Sequence, residues 1–381
     1  MKFKINIPQD IGLIYNVFSQ HNHSLFLVGG CVRDSLLGDY IKDYDLVTDA
    51  LPDRVIELLK NQHFVKNILE TGKAFGIVNV ITIDNNEYEI ATFRSESNYT
   101  DSRRPDNIEF CDMKTDCLRR DLTFNSLYYD IEKEEIIDLV GGIEDLNNKV
   151  IRTVGKAEDR IKEDGLRSMR ILRFAARFSS LIDFETDRAL IINPNLDKIS
   201  NERIRDEFIK GIKSAKSIIY FLKLIQKYEI FQYIFKDLKI NEQFIEEWDY
   251  IVVIAYMLRE NKYGDLKSKL NKLTYTINEI EQIRFLNKLF ILDINNAYFL
   301  KKQQNNCLIT KQQILKFGKL INFDETLLNA FVDFNLTITG EYVMNNYQLS
   351  EGKEVGIMIE SLENQLFEKL LEKKTYEKGL F

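Results

Sequence analysis

The chain contains few of the residues that build metal clusters, disulfide frameworks and rigid loops. Its 381 residues include four cysteines, three histidines and four prolines. The cysteines show no metal-ligand spacing, so we expect reduced thiols in a cytoplasmic protein. Three histidines are too few for a domain built on several histidine ligands, and four prolines leave room for long helices. No apolar run reaches the length of a membrane span and no N-terminal targeting signal is visible, so we predict no membrane partner.

The overall composition is typical of a globular protein, with 45% hydrophobic and 29% charged residues. At this length we expect about two to four domains. The formal net charge of −7 counts mildly against a nucleic-acid-binding protein, because such proteins are often basic. One stretch, residues 301–319, holds lysines and no acidic residue, and it is either a local patch for RNA phosphates or a solvated helix face. These lysines are Lys301, Lys302, Lys311, Lys316 and Lys319.

The pattern of apolar residues changes once along the chain. In the first part short strands alternate with helices. The predicted strands are residues 25–28, 43–48, 75–83, 87–94 and 136–140. The Asp84-Asn85-Asn86 segment predicts a hairpin turn between the third and the fourth. From about residue 148 onward, apolar residues recur at helical spacing and strand patterns nearly vanish, which predicts an α+β head followed by an all-α remainder. The predicted parts are a head (1–147), a neck (148–213), a helical body (214–300) and a helical tail (301–381).

A short apolar run, Leu25–Val28, leads directly into Gly29 and Gly30. This pattern predicts a strand that runs into a tight turn at the start of a helix. Glycines in such a turn let backbone N–H groups approach a polyphosphate, and the helix N-terminus favours negative charge. Arg33 follows in the first turn and offers a cationic donor to phosphate oxygens. The segment therefore predicts a site for a nucleoside triphosphate.

Asp43 and Asp45 are separated by one residue. If both lie on the predicted strand, their side chains point to the same face, because side chains alternate along a strand. Two carboxylates beside a triphosphate are the hard oxygen ligands that Mg²⁺ prefers. Glu89 on the neighbouring predicted strand is a candidate third carboxylate, or else an exposed cross-strand residue. An isolated Asp-x-Asp is usually a solvated turn, so the metal site is predicted only together with the glycine turn before it.

Several segments resemble the motifs of one family, the class II nucleotidyltransferases, which comprise CCA-adding tRNA nucleotidyltransferases and bacterial poly(A) polymerases. The first is residues 29–34 (GGCVRD) followed by Asp-x-Asp, the second is residues 119–127 (RRDLTFNSL), and the third is residues 163–167 (EDGLR). Residues 201–207 resemble a further motif, which we assign to stability of the neck rather than to substrate contact. The resemblance implies that the head contains a DNA polymerase β-like mixed sheet with helices.

The second motif contributes candidate contacts to phosphate and sugar. A guanidinium such as that of Arg120 offers paired donors to phosphate oxygens. Asp121 and Asn125 are four residues apart, so on a helix they share one face. They are candidates for reading the ribose 2′-hydroxyl, which would select ribonucleotides. The alternative is a charged helix N-terminus that binds no ligand.

The third motif contributes candidate contacts to the base. Asp164 and Arg167 are three residues apart and would share a helix face, with Arg170 one turn further on. A carboxylate accepts from the exocyclic amine of cytosine or adenine, and arginine donates to the adjacent ring nitrogen, whereas uracil and guanine reverse both positions. Mispaired polar groups discriminate by roughly 10⁴-fold in a fully buried site. The resemblance implies that this pair selects C and A without a template; the alternative is a surface salt bridge.

A long polar segment lies between about residues 95 and 118. Segments of this length in compact domains are usually functional or disordered. It resembles the flexible loop of CCA-adding enzymes, with Asp101, Arg103 and Arg104 as the candidate loop residues. By the same resemblance, enzymes that add only C have a shortened loop, so the full length here implies an ability to add A.

The residues and the resemblance together predict addition of C, C and A to the 3′ end of tRNA from CTP and ATP, with release of pyrophosphate. Asp43 and Asp45 would hold two Mg²⁺ ions, and the helical parts would bind the tRNA acceptor arm through its shape and phosphates. An A-adding enzyme is the open alternative. A poly(A) polymerase is disfavoured because residues 71–78 follow the CCA-adding pattern, and an inactive RNA-binding scaffold is disfavoured by the intact pair of aspartates.

Overall fold

The chain divides into two compact units in the computed structural model, which describes residues 1–97, 107–292, 297–304, 306–335 and 337–377. The first unit comprises residues 1–207 and 214–216, and the second comprises residues 208–213 and 217–381. The division into head, neck, body and tail stays a prediction. The loop residues Asp101, Arg103 and Arg104 lie outside the described residues.

A seven-stranded mixed sheet forms the scaffold of the first unit. Its strands are β1 (Leu25–Val28), β2 (Asp45–Thr48), β3 (Val65–Leu69), β4 (Ile77–Thr82), β5 (Glu87–Thr92), β8 (Tyr128–Asp130) and β9 (Glu135–Ile137). They lie in the order β3-β4-β5-β2-β1-β8-β9, with β2 and β5 parallel and the other neighbours antiparallel. Along β4 buried and half-buried side chains alternate, as expected of a sheet with one face on the core. The predicted α+β head with a mixed sheet is confirmed.

Two short sheets and nine helices complete the described part of the first unit. The short sheets pair β6 (Arg94–Ser97) with β7 (Asn107–Phe110), and β10 (Val150–Ile151) with β11 (Leu181–Ile182). The helices are α1 (Gln9–Gln20), α2 (Gly30–Leu37), α3 (Pro52–Leu59), α4 (Met113–Leu118), α5 (Gly142–Asn147), α6 (Ala157–Glu163), α7 (Leu166–Phe178), α8 (Phe184–Ile192) and α9 (Asn201–Ser214), the last of which extends into the second unit. Helix α3 begins at a proline, whose missing N–H is not needed at that position. Its buried Val55 and Leu59 recur at helical spacing and belong to the same core as Leu27 of β1.

The predicted strand at residues 25–28 is confirmed, but other predicted boundaries are wrong. The strand predicted at 43–48 begins at Asp45, so Asp43 lies in the preceding loop. The strand predicted at 75–83 begins at Ile77, because Gly76 has a φ of +76° in the left-handed region and ends the preceding turn. The predicted hairpin turn is confirmed: Asn85 has a φ of +62°, and its N–H donates to the Thr82 carbonyl over 3.0 Å.

Three further differences concern the strands around the predicted motifs. The strand predicted at 87–94 is two strands, since β5 ends at Thr92 and β6 continues into a separate sheet. The strand predicted at 136–140 ends at Ile137, because the Asp138 carboxylate accepts hydrogen bonds from the N–H groups of residues 140–143 and turns the chain. Strand β8 was not predicted, because all of its three residues are buried and it shows no alternation.

The described residues of the second unit form helices and no strand, as predicted for the remainder of the chain. The helices are α10 (Ile218–Lys227), α11 (Phe231–Ile234), α12 (Tyr250–Leu258), α13 (Tyr263–Lys272), α14 (Ile277–Phe290), α15 (Ala297–Gln304), α16 (Lys311–Leu320), α17 (Glu325–Asp333), α18 (Gly340–Tyr347) and α19 (Lys353–Glu377). Thr276 and Thr310 each begin a helix with a capping box, which satisfies N–H groups that the helix leaves open. None of the helices in the described ranges combines the length and the apolar character of a transmembrane span.

The lysine-rich stretch of residues 301–319 does not form one exposed basic face. Lys301 is buried, and its Nζ donates a hydrogen bond to the Val332 carbonyl over 2.9 Å. Three other lysines lie beside acidic side chains; the pairs are Lys302–Glu360, Lys311–Asp333 and Lys316–Glu247. Acidic neighbours therefore offset much of the positive charge, which is typical of solvated helix faces.

The pKa of Lys301 predicts a pH-dependent stability. Burial lowers this pKa to about 8, whereas the pKa of an ordinary lysine is about 10.4. Between these values Lys301 binds more protons in the unfolded chain than in the folded chain, so this residue should contribute a free energy of unfolding that rises with pH by up to about 1.4 kcal/mol per pH unit. Lys301→Met should remove this contribution, so the free energy of unfolding should rise less, or fall more, between about pH 8 and 9.5 than in the original chain, measured by urea unfolding.

Lys302→Met is the matched control, because Lys302 lies on the same helix as Lys301 but its ammonium is exposed, beside Glu360 of α19. The control should keep the dependence on pH of the original chain. An unchanged dependence in Lys301→Met would show that the buried ammonium does not lose its proton in this range.

Candidate active site

A cleft of about 550 Å³ in the first unit contains both predicted catalytic aspartates and every predicted nucleotide-binding residue. The predicted residues on its walls are Gly29, Gly30, Arg33, Asp43, Asp45, Arg120, Asp121, Asn125, Asp164, Arg167 and Arg170. Side chains that were not predicted also line it, namely Glu96, Arg119, Arg173, Phe174 and Arg177. The cleft is therefore the natural candidate for the active site.

The glycine turn lies between β1 and α2, as predicted. Gly29 has a φ of +77° and a ψ of −123°, a backbone conformation that a residue with a side chain rarely adopts. No side chain of the described residues caps the N-terminus of α2. The N–H groups of its first turn and the helix dipole can therefore favour an anion at this wall.

Asp43 and Asp45 both line the cleft, although only Asp45 lies on β2. The prediction that both lie on one strand is wrong, because Asp43 lies in the loop before β2. Neither carboxylate receives a hydrogen bond from a described residue, and the nearest cation to Asp43 is Lys42 Nζ at 3.6 Å. Loss of water raises the pKa of Asp45, and the neighbouring Asp43 adds to this effect. Two open carboxylates of this kind suit a hard divalent cation.

Glu89 lies opposite Asp45 in the parallel pairing of β2 and β5. Its pKa is raised, first by desolvation and then by the charge of Asp45. Glu89 is not among the residues that line the cleft, and the described residues contain no group of three or more histidine, cysteine or acidic side chains that could hold a metal ion. Its role as a third metal ligand stays a prediction.

Arg33 lines the cleft but is almost entirely buried, with 4% of its surface exposed. Its Nε donates to Asp34 Oδ1 over 2.8 Å, and its Nη1 donates to Asn125 Oδ1. The guanidinium lies 5.1 Å from the centre of the Phe174 ring, and burial lowers its pKa. Arg33 therefore ties α2 to the second motif, in addition to any contact with phosphate.

The predicted helix around the second motif was wrong. Residues 123–125 form a single 3₁₀ turn, and Asp121 lies in a bend before it. The side chains nevertheless meet, because Asn125 Nδ2 donates to Asp121 Oδ1 over 3.2 Å, and Arg170 Nε donates to Asp121 Oδ2 over 2.7 Å. Burial raises the pKa of Asp121, but the charges of Arg170 and Arg167 and the hydrogen bonds from Arg170 and Asn125 together outweigh this effect and lower the pKa to about 2. Asp121 is therefore ionised, and its contact with Arg170 ties the second motif to α7.

The third motif also differs from its predicted helix. Asp164 is the C-cap of α6, with φ −139° and ψ 104°, and α7 begins two residues later. Its carboxylate accepts from the Leu166 N–H (3.0 Å) and from Arg203 Nη2 (3.0 Å). Arg167 donates to Glu163 Oε2 over 2.5 Å and to the Arg119 carbonyl over 2.9 Å. The two predicted base-reading residues face one cleft but are held by separate partners.

Asp116, to which the sequence analysis assigned no role, holds the arginines of the second motif. It is fully buried and accepts hydrogen bonds from Arg119 Nε (2.9 Å), Arg120 Nη2 (3.0 Å) and the Tyr128 hydroxyl (2.8 Å). Burial raises its pKa, but the charges of Arg120 and Arg119 outweigh this effect and lower it. Its position three and four residues before two arginines was a detectable signal.

Asp116→Asn should lower the free energy of unfolding by roughly 3 kcal/mol, because it leaves two arginines beside an uncharged buried amide. Since the folded pKa is lowered, the carboxylate stabilises the fold above about pH 4 and loses this effect as the pH falls further. Urea unfolding at pH 7 and at pH 3.5 measures the loss of stability in Asp116→Asn and the dependence of this loss on pH. Asp112→Asn on the same helix is the control, because asparagine also serves as an N-cap. Equal stability of the two variants would contradict this role of Asp116.

Helix α7 supplies a row of cleft residues beyond Arg170. Arg173 donates to Glu207 Oε2 over 2.7 Å, and Arg177 donates to Asp34 Oδ1 over 3.1 Å. Phe174 packs against the guanidinium of Arg173, at 4.2 Å from the ring centre. The spacing of these residues from Arg170 places them on one helix face, which was the signal available in the sequence.

Two family models match the chain. The model described as "Poly A polymerase head domain" matches residues 25–152, which contain the glycine turn and the first two motifs. The model described as "Probable RNA and SrmB- binding site of polymerase A" matches residues 188–241. The first match covers the sheet and much of the cleft.

Relatives and a solved structure extend the likeness. A CCA-adding enzyme of Ligilactobacillus salivarius is 33% identical over 369 residues, which are 90% of this chain and 87% of that protein. A CCA-adding enzyme of Leuconostoc mesenteroides is 37% identical over 262 residues, but the match spans only 64% of this chain and 61% of that relative. The crystal structure of the Bacillus stearothermophilus CCA-adding enzyme in complex with CTP has a similar fold, with a TM-score of 0.69, 22% identity and coverage of 98% and 99% of the two chains.

Proposed function

This chain belongs to the family of CCA-adding enzymes, and we propose that it adds C, C and A to the 3′ end of tRNA from CTP and ATP. The cleft of the first unit supports this proposal. It combines two open carboxylates with guanidinium groups around one space of about 550 Å³. A nucleoside triphosphate would supply the negative charge that the arginines favour and phosphate oxygens that share a divalent cation with the carboxylates.

The two aspartates fit Mg²⁺, because both are hard oxygen ligands that receive no hydrogen bond from the described residues. We propose that Asp43 and Asp45 hold two ions. When bound, Mg²⁺ would lower the pKa of the attacking hydroxyl and neutralise charge on the leaving pyrophosphate. In the reaction the 3′-oxygen of the RNA bonds to the α-phosphorus of the nucleotide, and the bond to the β-phosphate oxygen breaks.

The other cleft residues would bind and orient the nucleotide. The glycine turn and Arg120 lie where phosphate oxygens would meet N–H donors and positive charge. Asp121 and Asn125 would contact the ribose. Since Arg170 and Arg33 already hold this pair, the contacts would be set before the nucleotide arrives, which reduces the entropy lost on binding.

Asp164 and Arg167 would read the base. A carboxylate has about four acceptor positions, and two of those on Asp164 are taken by Leu166 and Arg203. The remaining positions can accept from an exocyclic amine of C or A. The Nε of Arg167 donates to no described residue, so it can donate to a ring nitrogen.

The test is incubation of purified protein with tRNAs that lack the last three, two or one nucleotides, with CTP, ATP or both. Addition of C, C and then A by one protein is the expected result. Addition of A only to tRNA that ends in CC would instead support the A-adding alternative. Long A tracts would support a poly(A) polymerase, and retention of tRNA without incorporation would support an inactive scaffold.

The partners in the helical part and the location in the cell follow from the same proposal. We propose that the helices of the second unit contact the tRNA acceptor arm through its shape and phosphates. All four cysteines are free thiols in the described structure, which agrees with a reducing compartment. Cytoplasmic location stays a prediction.

A further inference from the structure

Arg203 of α9 reaches the carboxylate that we propose reads the base. Its Nη2 lies 3.0 Å from Asp164 Oδ2, and both side chains are largely buried, with 21% and 18% of their surfaces exposed. We infer that Arg203 is a positioning residue for base selection, which orients the Asp164 carboxylate toward the incoming nucleotide. This inference rests on the proposed function. It changes the reading of residues 201–207, which the sequence analysis assigned to stability alone.

The backbone does not by itself fix the direction of the Asp164 side chain. Asp164 lies between α6 and α7. Its own backbone is extended, so it does not have the regular geometry of either helix. Among the described residues, its carboxylate has two hydrogen-bond donors, the Leu166 N–H two residues on and the Arg203 side chain. The first is local and moves with the same turn. Arg203 is the donor from a distant part of the chain, so it holds the carboxylate in position relative to α9.

The contact leaves the carboxylate able to accept from a base. A two-pronged contact from arginine would occupy both carboxylate oxygens. Here a single nitrogen of Arg203 contacts one oxygen. The other terminal nitrogen, Nη1, is buried and has no partner within the described part of the chain. Arg203 therefore holds the carboxylate at one point and leaves acceptor positions open.

A fixed carboxylate matters more for rejecting the wrong base than for accepting the right one. Uracil presents a carbonyl where cytosine presents an amine, so a fixed Asp164 oxygen faces a like partial charge. A carboxylate that is free to rotate can turn away from that carbonyl, while it can still turn back to accept from an amine. Loss of Arg203 should therefore weaken the rejection of UTP more than it slows the use of CTP.

The experiment compares kcat/KM for CTP and UTP on tRNA that lacks its terminal CCA. In Arg203→Gln, the ratio of CTP to UTP should fall on the order of tenfold, mainly through faster use of UTP. In Arg203→Lys the ratio should fall less, because an ammonium can still donate to Asp164 but lacks the planar geometry of arginine. If Arg203→Gln does not fold, Arg203→Lys decides: a reduced ratio supports the inference and an unchanged ratio contradicts it.

Arg205→Gln is the matched control, because Arg205 lies on the same helix and contacts its neighbour Asp206. It should keep the ratio of the original chain. A general loss of stability would lower kcat/KM for both nucleotides and leave the ratio unchanged, which would contradict the inference.

A double-mutant cycle with Asp164→Asn tests whether Arg203 acts through Asp164. In the Asp164→Asn background, Arg203→Gln should change the ratio no further. An equal additional loss would overturn the inference. If the original chain adds neither C nor A, the proposed function itself fails. If it adds both, and Asp164→Asn loses base choice but Arg203→Gln does not, only the role of Arg203 fails.

Discussion

Asp45→Asn is expected to lower the rate of C and A addition by roughly 10³-fold or more, the size of effect seen when a group that stabilises charge at a transferring phosphate is lost. The amide has the same shape but lacks the charge that holds a divalent cation. Asp43→Asn should have a similar effect, because both carboxylates line the same cleft. Primer extension on tRNA with radiolabelled CTP or ATP measures the loss.

The fold and the binding of tRNA should survive Asp45→Asn. The Asp45 side chain receives no hydrogen bond from a described residue, so the amide removes no internal contact. Asp49→Asn is the matched control: it follows the same strand, and its carboxylate accepts from Ser24 instead of lining the cleft. It should retain full incorporation. Normal incorporation by Asp45→Asn would refute the assignment of the metal site.

Asp164→Ala is expected to relax base choice, with the preference for CTP over UTP falling by roughly 10²-fold. The alanine leaves no acceptor for the amine of C and no negative charge against the carbonyl of U. Binding of tRNA should change little, because Asp164 lies in the nucleotide cleft. Arg167→Ala should also relax base choice, but it removes one of the two ion pairs of the Glu163 carboxylate and should therefore also lower stability.

The readouts are misincorporation of UTP and GTP and the affinity for tRNA, each measured for the same variants. Asp159→Ala is the control, since Asp159 is an exposed acid in the first turn of α6. It should leave fidelity unchanged. Unchanged fidelity in both Asp164→Ala and Arg167→Ala would defeat the assignment of base reading.

Most of the cleft could be predicted because its residues come from short, continuous motifs. Gly29 and Gly30 follow a buried strand and open a helix, and both properties are local. Asp43 and Asp45 both line the cleft, but alternation along one strand does not bring them there, because β2 begins only at Asp45. Asp121 and Asn125 were likewise correctly paired without lying on the predicted helix. Spacing indicated which residues meet but not the backbone that brings them together.

Long-range ion pairs could not be predicted. The spacing of Asp116 from Arg119 and Arg120 was a local signal, but its complete burial and its contact with the Tyr128 hydroxyl depend on the fold. Arg203 lies 39 residues from Asp164, and neither residue signals the other. The local charge around the lysine-rich stretch could not be predicted either, because its acidic partners come from other segments.

The sequence by itself determined the mixed-sheet head, the helical remainder and most of the side chains that share the cleft, because hydrophobic periodicity, glycine turns and short motifs are properties of neighbouring residues. Only the tertiary structure decided how those side chains are held: which carboxylates stay open for a cation, which are tied to arginines, and which arginine reaches the residue that we propose reads the base. The reason is that an ion pair depends on where two distant segments meet and on how much water they exclude, and neither quantity is written in local spacing.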